Sequence, residues 1–349
     1  MSVMDAMTAA RRILEDGVAR RIFPGGVVEV GRASGPIAST EAGRLTYDAN
    51  APAVDAHTTV YDLASLTKVL ATTALMAGEV ARERMRLNDR VRHWIPAWTG
   101  EERQAVTLRD LLEHASGLPA HRHYYKMRRG GSSFEIAICE EPLDYAPRAQ
   151  SIYSDPGFML LGFAIERAAG STLQRQFTEW RDGELTHDAE IQFGVQTDWL
   201  PRTAPTEHSE FGEERRGEVH DENAQALGGV AAHAGLFGTA PAVGACARWW
   251  MRSPHLAEFS KKSTVPGSSR ALGWDTMLPT SSCGTRMSPG AIGHTGFTGT
   301  SLWIDPRNDL YVVLLTNRVH PTREGEGIQE IRRAVHDAVV TGLGDVRRA

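Results

Sequence analysis

Apolar residues in the first fifty positions follow a helical spacing and then an extended one. In the opening twenty residues they fall roughly on one face of a helix, at Met7, Ile13, Leu14 and Val18. Two strand-like runs follow, at 25–32 (GGVVEVGR) and 43–49 (GRLTYDA), with a turn rich in Gly, Pro and Ser between them. The chain is therefore predicted to begin with an amphipathic helix and a pair of strands.

Helical periodicity dominates the middle of the chain. Apolar positions recur every three or four residues in four segments, at 62–80, 106–121, 154–170 and 240–252. In the second segment Thr107 is a predicted N-cap, and the sequence SGLP ends the helix. In the third segment Asp155 is the predicted cap and Pro156 occupies the first turn. That helix is predicted to end at Gly170.

The last fifty residues return to an extended pattern before a final helix. Residues 300–306 and 309–319 predict two strands joined at the turn DPRND, and residues 326–340 predict an amphipathic closing helix. The simplest packing is one antiparallel sheet built from both ends of the chain, with the terminal helices against it. The predicted fold class is α/β in the broad, α+β sense, with a helical part inserted into the sheet part.

This pattern also predicts how the chain is organised. Residues 1–349 form one unit, with a sheet subdomain at about 1–60 and 265–349 and a helical subdomain at about 61–264. A cleft between the two subdomains is the expected place for a functional site.

Composition and charge exclude several classes of function. Hydrophobic residues make up 41% of the chain and charged residues 23%, which is an ordinary globular balance. The net charge is −5 and there is no basic run, so no nucleic-acid partner is expected. No apolar stretch approaches the roughly 20 residues that a membrane-spanning helix needs. The glycine-rich loop of nucleotide-binding enzymes and the G-x-S-x-G turn of α/β-hydrolases are both missing from the sequence.

The cysteines and the N-terminus predict a cytoplasmic protein. Cys139, Cys246 and Cys283 are an odd, scattered set that indicates reduced thiols rather than a disulfide framework. The first twenty residues carry acids and arginines throughout and lack the apolar core of a secretory signal. A periplasmic location is expected instead if a signal has been removed.

Ser65 and Lys68 are the first candidates for chemistry. The chain has only four lysines, and Lys68 lies in an otherwise apolar or small stretch, YDLASLTKVL. A buried lysine is costly unless it is paired or its pKa shifts. Residues three apart on a helix share a face, so Lys68 can activate the Ser65 hydroxyl as a base. The alternative is a helix that begins with a serine and carries a solvent-facing lysine.

Two further segments supply what such a pair needs. Tyr153, in IYSDPG, can relay a proton if it lies beside a cation such as Lys68. The glycine-rich segment GHTGFTGTSLWID predicts a strand entry where a substrate can approach the backbone closely. Taken alone, Tyr153 is more often a core or rim residue and HTG is a turn.

Together these segments resemble a known family. Ser-Leu-Thr-Lys (65–68), Tyr-Ser-Asp (153–155) and His-Thr-Gly (294–296) are similar, in order and spacing, to the three motifs of serine hydrolases of the class C β-lactamase and penicillin-binding-protein type. The resemblance covers roughly residues 10–340 and implies the β-lactamase/transpeptidase-like fold. It also implies acyl transfer through an acyl-enzyme that water hydrolyses, with no metal and no cofactor.

The resemblance assigns expected roles to individual residues. Ser65 is the nucleophile, Lys68 its base, and Tyr153 the group that relays the proton to or from the leaving group. The backbone N–H groups of Ser65 and Phe297 form the oxyanion hole. The residues expected to support or contact the substrate are Asp155, His233, His294, Thr295 and Gly296.

Two positions depart from the family pattern. Asp155 stands where many members carry Asn, and it can either hydrogen-bond Lys68 or cap the following helix. His294 stands where the lactamases carry Lys, and a neutral imidazole is a weak anchor for a substrate carboxylate. Esterase-like members of the family commonly share this change.

The resulting functional prediction is a carboxylesterase or amidase acting on a small acyl or D-amino-acid-containing substrate. A β-lactamase or D,D-carboxypeptidase is the alternative, and a non-catalytic binding protein with the same fold is the second alternative. The expected partner is a small ester, amide or β-lactam-like molecule. The sequence does not predict the oligomeric state.

Other histidines offer alternative roles. His121 and His123, with His114 nearby, can be metal ligands or a polar rim of the cleft, but no carboxylate or cysteine completes a zinc spacing. His220 and Asp221 precede His233 in a loop-like segment, for which we expect a substrate-lining or structural role.

Overall fold

The described residues include nine strands, which form two antiparallel sheets. The computed structural model describes residues 2–185 and 189–344. The strands are β1 Gly25–Arg32, β2 Gly35–Gly43, β3 Tyr61–Asp62, β4 Ile191–Phe193, β5 Leu236–Gly238, β6 Asp275–Thr276, β7 Ile292–Thr295, β8 Ser301–Asp305 and β9 Leu310–Thr316. The large sheet has the order β2-β1-β9-β8-β7-β6, and the small sheet has the order β3-β5-β4. The large sheet therefore joins strands from both ends of the chain, as predicted.

Helices flank the large sheet and fill the middle of the chain. They are α1 Val3–Ala19, α2 Thr73–Ala81, α3 Val91–Trp94, α4 Leu108–Leu112, α5 Gly131–Glu140, α6 Asp155–Ala169, α7 Leu173–Glu184, α8 Glu222–Ala226, α9 Ala240–Arg252, α10 Leu256–Phe259 and α11 Ile328–Gly344. Helices α1 and α11 pack against each other on one face of the sheet. Helix α9 covers the other face, next to the helical part. The predicted α+β architecture is confirmed.

Strand β9 shows why the sheet is buried on both sides. Its residues alternate between the two hydrophobic clusters, with Val312 and Leu314 facing α1 and α11 and Val313 and Leu315 facing the helical side. Successive side chains of a strand point to opposite faces, so a continuous apolar run satisfies both layers.

The second strand differs from its prediction. The chain turns at 33–34, and β2 pairs with β1 from Gly35 to Gly43. Of the strand predicted at 43–49, only Gly43 is therefore in a strand. Gly43 ends β2 with a φ of +86°. The prediction was wrong because β2 is a half-exposed edge strand with small and polar residues, and it lacks an alternating apolar pattern.

The helix predicted at 62–80 is not a uniform α-helix. It consists of a 3₁₀ turn at Ala64–Leu66, a π-helical turn at Lys68–Thr72 and then α2. The cap predicted at Asp155 is also wrong. Ser154 is the N-cap of α6, and its hydroxyl accepts a hydrogen bond from Gly157 N at 3.2 Å. Asp155 is instead the first residue of the helix, which leaves its carboxylate available for another partner.

Other predicted features agree with the structure. Thr107 caps α4 through a capping box with Asp110, and α6 ends at Gly170 in the left-handed conformation. The cysteines are buried free thiols. Among the described helices, none has the length and apolar character needed to cross a bilayer.

Candidate active site

The segment before Ser65 has an unusual backbone that the buried Asp62 carboxylate holds in place. Ala64 has a φ of +46°, a left-handed conformation that costs a non-glycine residue roughly 1–2 kcal/mol. The buried Asp62 carboxylate accepts hydrogen bonds from Ala64 N at 2.8 Å and from His220 N at 2.7 Å. Burial raises the pKa of Asp62 to about 7. The strained turn presents the Ser65 side chain to the cleft.

Ser65 contacts two other candidate residues directly. Lys68 Nζ donates a hydrogen bond to Ser65 Oγ at 3.1 Å, and the Tyr153 and Ser65 hydroxyl oxygens are 2.7 Å apart. Lys68 Nζ also lies 4.8 Å from the centre of the Tyr153 ring. The three residues therefore form one connected group, in a geometry that permits proton transfer between them.

Lys68 is fully buried and has three polar partners. Besides Ser65, its ammonium donates to the His233 carbonyl at 2.9 Å and pairs with Asp155 Oδ1 at 2.7 Å. Burial lowers the pKa of Lys68, and the Asp155 carboxylate opposes this effect. Burial alone would raise the pKa of Asp155, but Lys68 and His121 bring it below its usual value. The Asp155 side chain therefore interacts with Lys68, while Ser154 caps the helix.

Tyr153 is a neutral phenol at physiological pH. Burial and the nearby Asp155 carboxylate raise its pKa well above the usual value, although the hydrogen bond with Ser65 and the charge of Arg270 act in the opposite direction. The guanidinium carbon of Arg270 lies 5.5 Å from the ring centre, and Arg270 is itself paired with Asp275 at 2.8 Å. Tyr153 can therefore donate its proton and later recover one.

The end of β7 approaches the Ser65 turn from the opposite side. A side chain at Gly296 would meet the Thr300 hydroxyl at 2.1 Å and the Leu63 carbonyl at 2.7 Å, so only glycine allows this approach. The Thr298 hydroxyl donates to the Asp62 carbonyl at 2.7 Å, and the Thr300 hydroxyl donates to the Leu63 carbonyl at 3.2 Å. These contacts bring the backbone around Phe297 to the Ser65 turn.

His294 is neutral and offers a lone pair. Its Nδ1–H donates to the Thr295 carbonyl at 2.9 Å, so Nε2 is the unprotonated nitrogen. That Nε2 atom is buried and has no hydrogen-bond partner among the described residues. Burial, together with the positive charges of Lys68 and Arg270, lowers the pKa of His294 to about 3. His294 therefore cannot act as the cation that the related motif supplies.

His233 contacts Lys68 through its backbone and Asp221 through its side chain. The His233 carbonyl accepts from Lys68, while its ring Nε2 donates to Asp221 Oδ1 at 2.8 Å. The ring of His220 stacks on Phe297 with a centroid distance of 5.6 Å. His220 and Asp221 thus lie beside the site and line the cavity.

A cavity of about 650 Å³ opens onto these groups. It is lined by Ser65, Tyr153, Asp155, the segment from His294 to Phe297, and several polar residues of the rim, including His121 and His123. His121 Nδ1 lies 3.3 Å from Asp155 Oδ2, which favours the rim interpretation of these histidines over metal binding.

One group of metal-binding residue types is present in the described part of the chain. His208, Glu214 and His320 bring their ligand atoms within 4.8 Å of one another. Arg216 already pairs with Glu214 at 2.7 Å. The group does not line the cavity, so it has no part in the chemistry at Ser65.

Sequence reasoning missed three residues that shape the site. Asp62, Arg270 and Arg332 were not singled out, although all three touch the Ser65 turn, Tyr153 or the β7 end. Only Asp62 had a local signal, since an acid next to a tight turn commonly binds the backbone N–H two residues later.

Comparisons with known proteins identify the family to which the chain belongs. The family model described as Beta-lactamase matches residues 10–336. A protein of Escherichia coli (strain K12) named "Putative D-alanyl-D-alanine carboxypeptidase" is 32% identical over 304 residues, which are 75% of this chain and 70% of that protein.

Solved structures share the fold over nearly the whole chain. "EstCE1, a hydrolase with promiscuous acyltransferase activity" has a TM-score of 0.76 at 20% identity and covers 97% of this chain and 99% of its own. Unliganded simvastatin synthase (LovD) from Aspergillus terreus has a TM-score of 0.75 at 19% identity and covers 97% of this chain and 98% of its own. The resemblance seen in the three motifs is confirmed. The chain belongs to the Beta-lactamase family and is a serine hydrolase.

Proposed function

We propose that Ser65 is the nucleophile of a carboxylesterase or amidase that acts on small, uncharged acyl substrates. The observation that carries the proposal is the position of Ser65 Oγ, within hydrogen-bond distance of both Lys68 Nζ and Tyr153 OH. A buried lysine with a lowered pKa and a neutral phenol are a base and a proton donor in contact with one hydroxyl.

In the proposed reaction Lys68, in its neutral form, accepts the Ser65 proton as Oγ attacks the acyl carbon. The N–H groups of Ser65 and Phe297 stabilise the negative oxygen of the tetrahedral intermediate. Tyr153 donates its proton to the leaving group and recovers one from the lysine. Water then attacks the acyl carbon and gives a proton to the same pair. The pair returns that proton to Ser65 Oγ as its bond to the acyl carbon breaks, which releases the carboxylic acid and the free serine.

The properties of His294 support a substrate without a carboxylate at this position. A neutral imidazole with a free lone pair accepts a hydrogen bond and does not attract an anion. The cavity of about 650 Å³ is of a size that holds small molecules.

A D,D-carboxypeptidase is the second candidate, and the names of the relatives at 30–32% identity favour it. It would need another cation for the terminal carboxylate, and Arg270, which is paired with Asp275, lines the cavity. A β-lactamase requires the same recognition of a carboxylate.

Intact mass after incubation with a fluorophosphonate tests the nucleophile. We expect one adduct on the wild type and none on Ser65→Ala, with the fold of both checked by circular dichroism. An equal adduct on both proteins would show that Ser65 is misassigned. An unmodified, well-folded wild type would favour the non-catalytic alternative.

A substrate panel then separates the two candidates. It includes p-nitrophenyl esters, D-aminoacyl amides, a D-alanyl-D-alanine peptide and a chromogenic cephalosporin. The proposal expects the highest kcat/KM on a neutral ester or amide. A preference for the dipeptide terminus or for the cephalosporin would overturn the assignment of the substrate class.

A further inference from the structure

Arg332 lines the cavity and contacts the backbone that carries the expected oxyanion donor. It is on α11 and is 4% exposed. Its Nη2 donates to the Gly296 carbonyl at 2.7 Å and to the Thr300 carbonyl at 2.9 Å. The guanidinium thus joins the two ends of the loop that contains Phe297.

The charge of the Arg332 guanidinium is not neutralised by any carboxylate of the residues that the structure describes. Within the described ranges, Arg332 has no Asp or Glu oxygen within 4.0 Å, although most other buried charges of the chain are paired. Burial and the nearby Arg318 lower the pKa of Arg332 to about 9, so it remains cationic at neutral pH. A buried and uncompensated guanidinium is costly, and its hydrogen bonds to carbonyls recover only part of that cost.

The Gly296 carbonyl and the Phe297 N–H belong to one peptide group. Resonance couples the two ends of a peptide, so a positive donor at the oxygen draws electron density away from the nitrogen. The N–H then becomes a stronger hydrogen-bond donor, as in any polarised hydrogen-bond chain. Arg318 repeats this arrangement one residue later, where its Nε donates to the Phe297 carbonyl at 2.8 Å.

We propose that Arg332 is a positioning residue of the oxyanion hole, which fixes and polarises the Gly296–Phe297 peptide so that its N–H stabilises the negative oxygen on the acyl carbon. This inference rests on the proposed function, because it assumes that Phe297 N–H faces the oxyanion. This role also gives a reason for a buried arginine on the side of α11 that faces the sheet.

Selective labelling with ¹⁵N-phenylalanine tests the polarisation without turnover. The Phe297 resonance is identified by its loss in Phe297→Leu. We expect it to move upfield in Arg332→Met, because the nitrogen regains electron density. Arg333→Met is the matched control, since Arg333 also donates to two backbone carbonyls, those of Ser281 and Pro279, on the next position of the same helix. A Phe297 resonance that moves equally in both variants, or in neither, overturns the proposal.

Kinetics test the consequence for catalysis. We expect Arg332→Met to lower kcat for a p-nitrophenyl ester about tenfold or more with KM little changed, because removing one oxyanion donor outright costs about 10²–10³-fold. Arg332→Lys, which keeps the charge, should recover part of the loss, and Arg333→Met should stay within about twofold. Affinity for a boronic acid should fall in parallel with kcat.

The outcomes separate this inference from the proposed function. A raised KM with unchanged kcat would mean that Arg332 binds the substrate itself, which overturns the positioning role. A wild type that no fluorophosphonate labels refutes the proposed function, whereas the shift of the Phe297 resonance still reports on the peptide. If Arg332→Met does not fold, the same two measurements on Arg332→Lys decide the question.

Discussion

At the scale of single residues, the central relation is between Lys68 and Asp155. The ion pair with the carboxylate favours the ammonium form of Lys68, whereas the proposed base must be the neutral amine. The ion pair and the proposed catalysis therefore favour opposite protonation states of Lys68. Burial lowers the pKa of Lys68 while Asp155 raises it again. Asp155 therefore tunes the pH at which the proposed base becomes available.

The pH profile of the wild type and of Asp155→Asn tests this relation. In the wild type, kcat/KM should rise with pH through a lysine pKa below its ordinary 10.5. Removal of the negative charge destabilises the ammonium, so the rising limb should move to lower pH in the variant. Asp144→Asn is the control, because Asp144 is an exposed carboxylate that is not one of the polar partners of Lys68 described above. A limb that stays in place or moves to higher pH would show that Asp155 does not act on the base.

At the scale of elements, the ends of strands and helices decide the geometry of the molecule. Long apolar runs such as β9, the Thr107 cap of α4 and the end of α6 at Gly170 were predictable, because their signals lie within a few consecutive residues. The position of β2 was not predictable, because it is determined by the pairing of β2 with β1 and is not encoded in the side chains of β2. The π-helical turn at Lys68 was also missed, because S-x-x-K fits an ordinary α-helix equally well.

The two terminal glycines of β2 provide a test of this pairing. A side chain at Gly43 would lie 2.1 Å from the Pro24 carbonyl, and its φ of +86° is unfavourable for alanine. Gly43→Ala should lower the free energy of unfolding by about 2 kcal/mol or more through strain and overlap. Gly35→Ala, where nothing lies within 4 Å, should stay within about 0.5 kcal/mol. Urea denaturation measures both, and equal losses would place the end of β2 elsewhere.

At the scale of the whole molecule, the site is assembled from distant parts of the chain. Ser65 and Lys68 come from one segment, Tyr153 from the residues just before α6, and Phe297 from the loop that follows β7. The three motifs were recognisable because each is local and their order is informative. Arg332 and Arg270 were not recognisable from the sequence, because their importance depends on contacts across the fold that no single segment encodes.

Buried histidines are expected to make stability depend on pH. Burial lowers the pKa of His336 in α11 from 6.5 to about 4. The stability that neutral His336 contributes to the free energy of unfolding is therefore fully present above pH 6.5 and is lost as the pH falls from 6.5 toward 4. Between pH 7.5 and 5.0 the wild type should lose about 2 kcal/mol more unfolding free energy than His336→Leu, at 1.36 kcal/mol per pH unit below 6.5. Denaturant titrations at both pH values measure this difference, and equal losses would mean that His336 is not held neutral.

The pairing of β1 with β9 has a consequence for how the chain is made. Gly26 lies opposite Thr316, so about 290 residues separate two neighbouring strands. A ribosome needs roughly 15 to 60 seconds to add that length at 5–20 residues per second. During this time β1 has one unpaired edge, which could pair with other chains. The polar hairpin partner β2 protects only the other edge, so the nascent protein depends on chaperones, or on the speed of its own translation, until the last strand arrives.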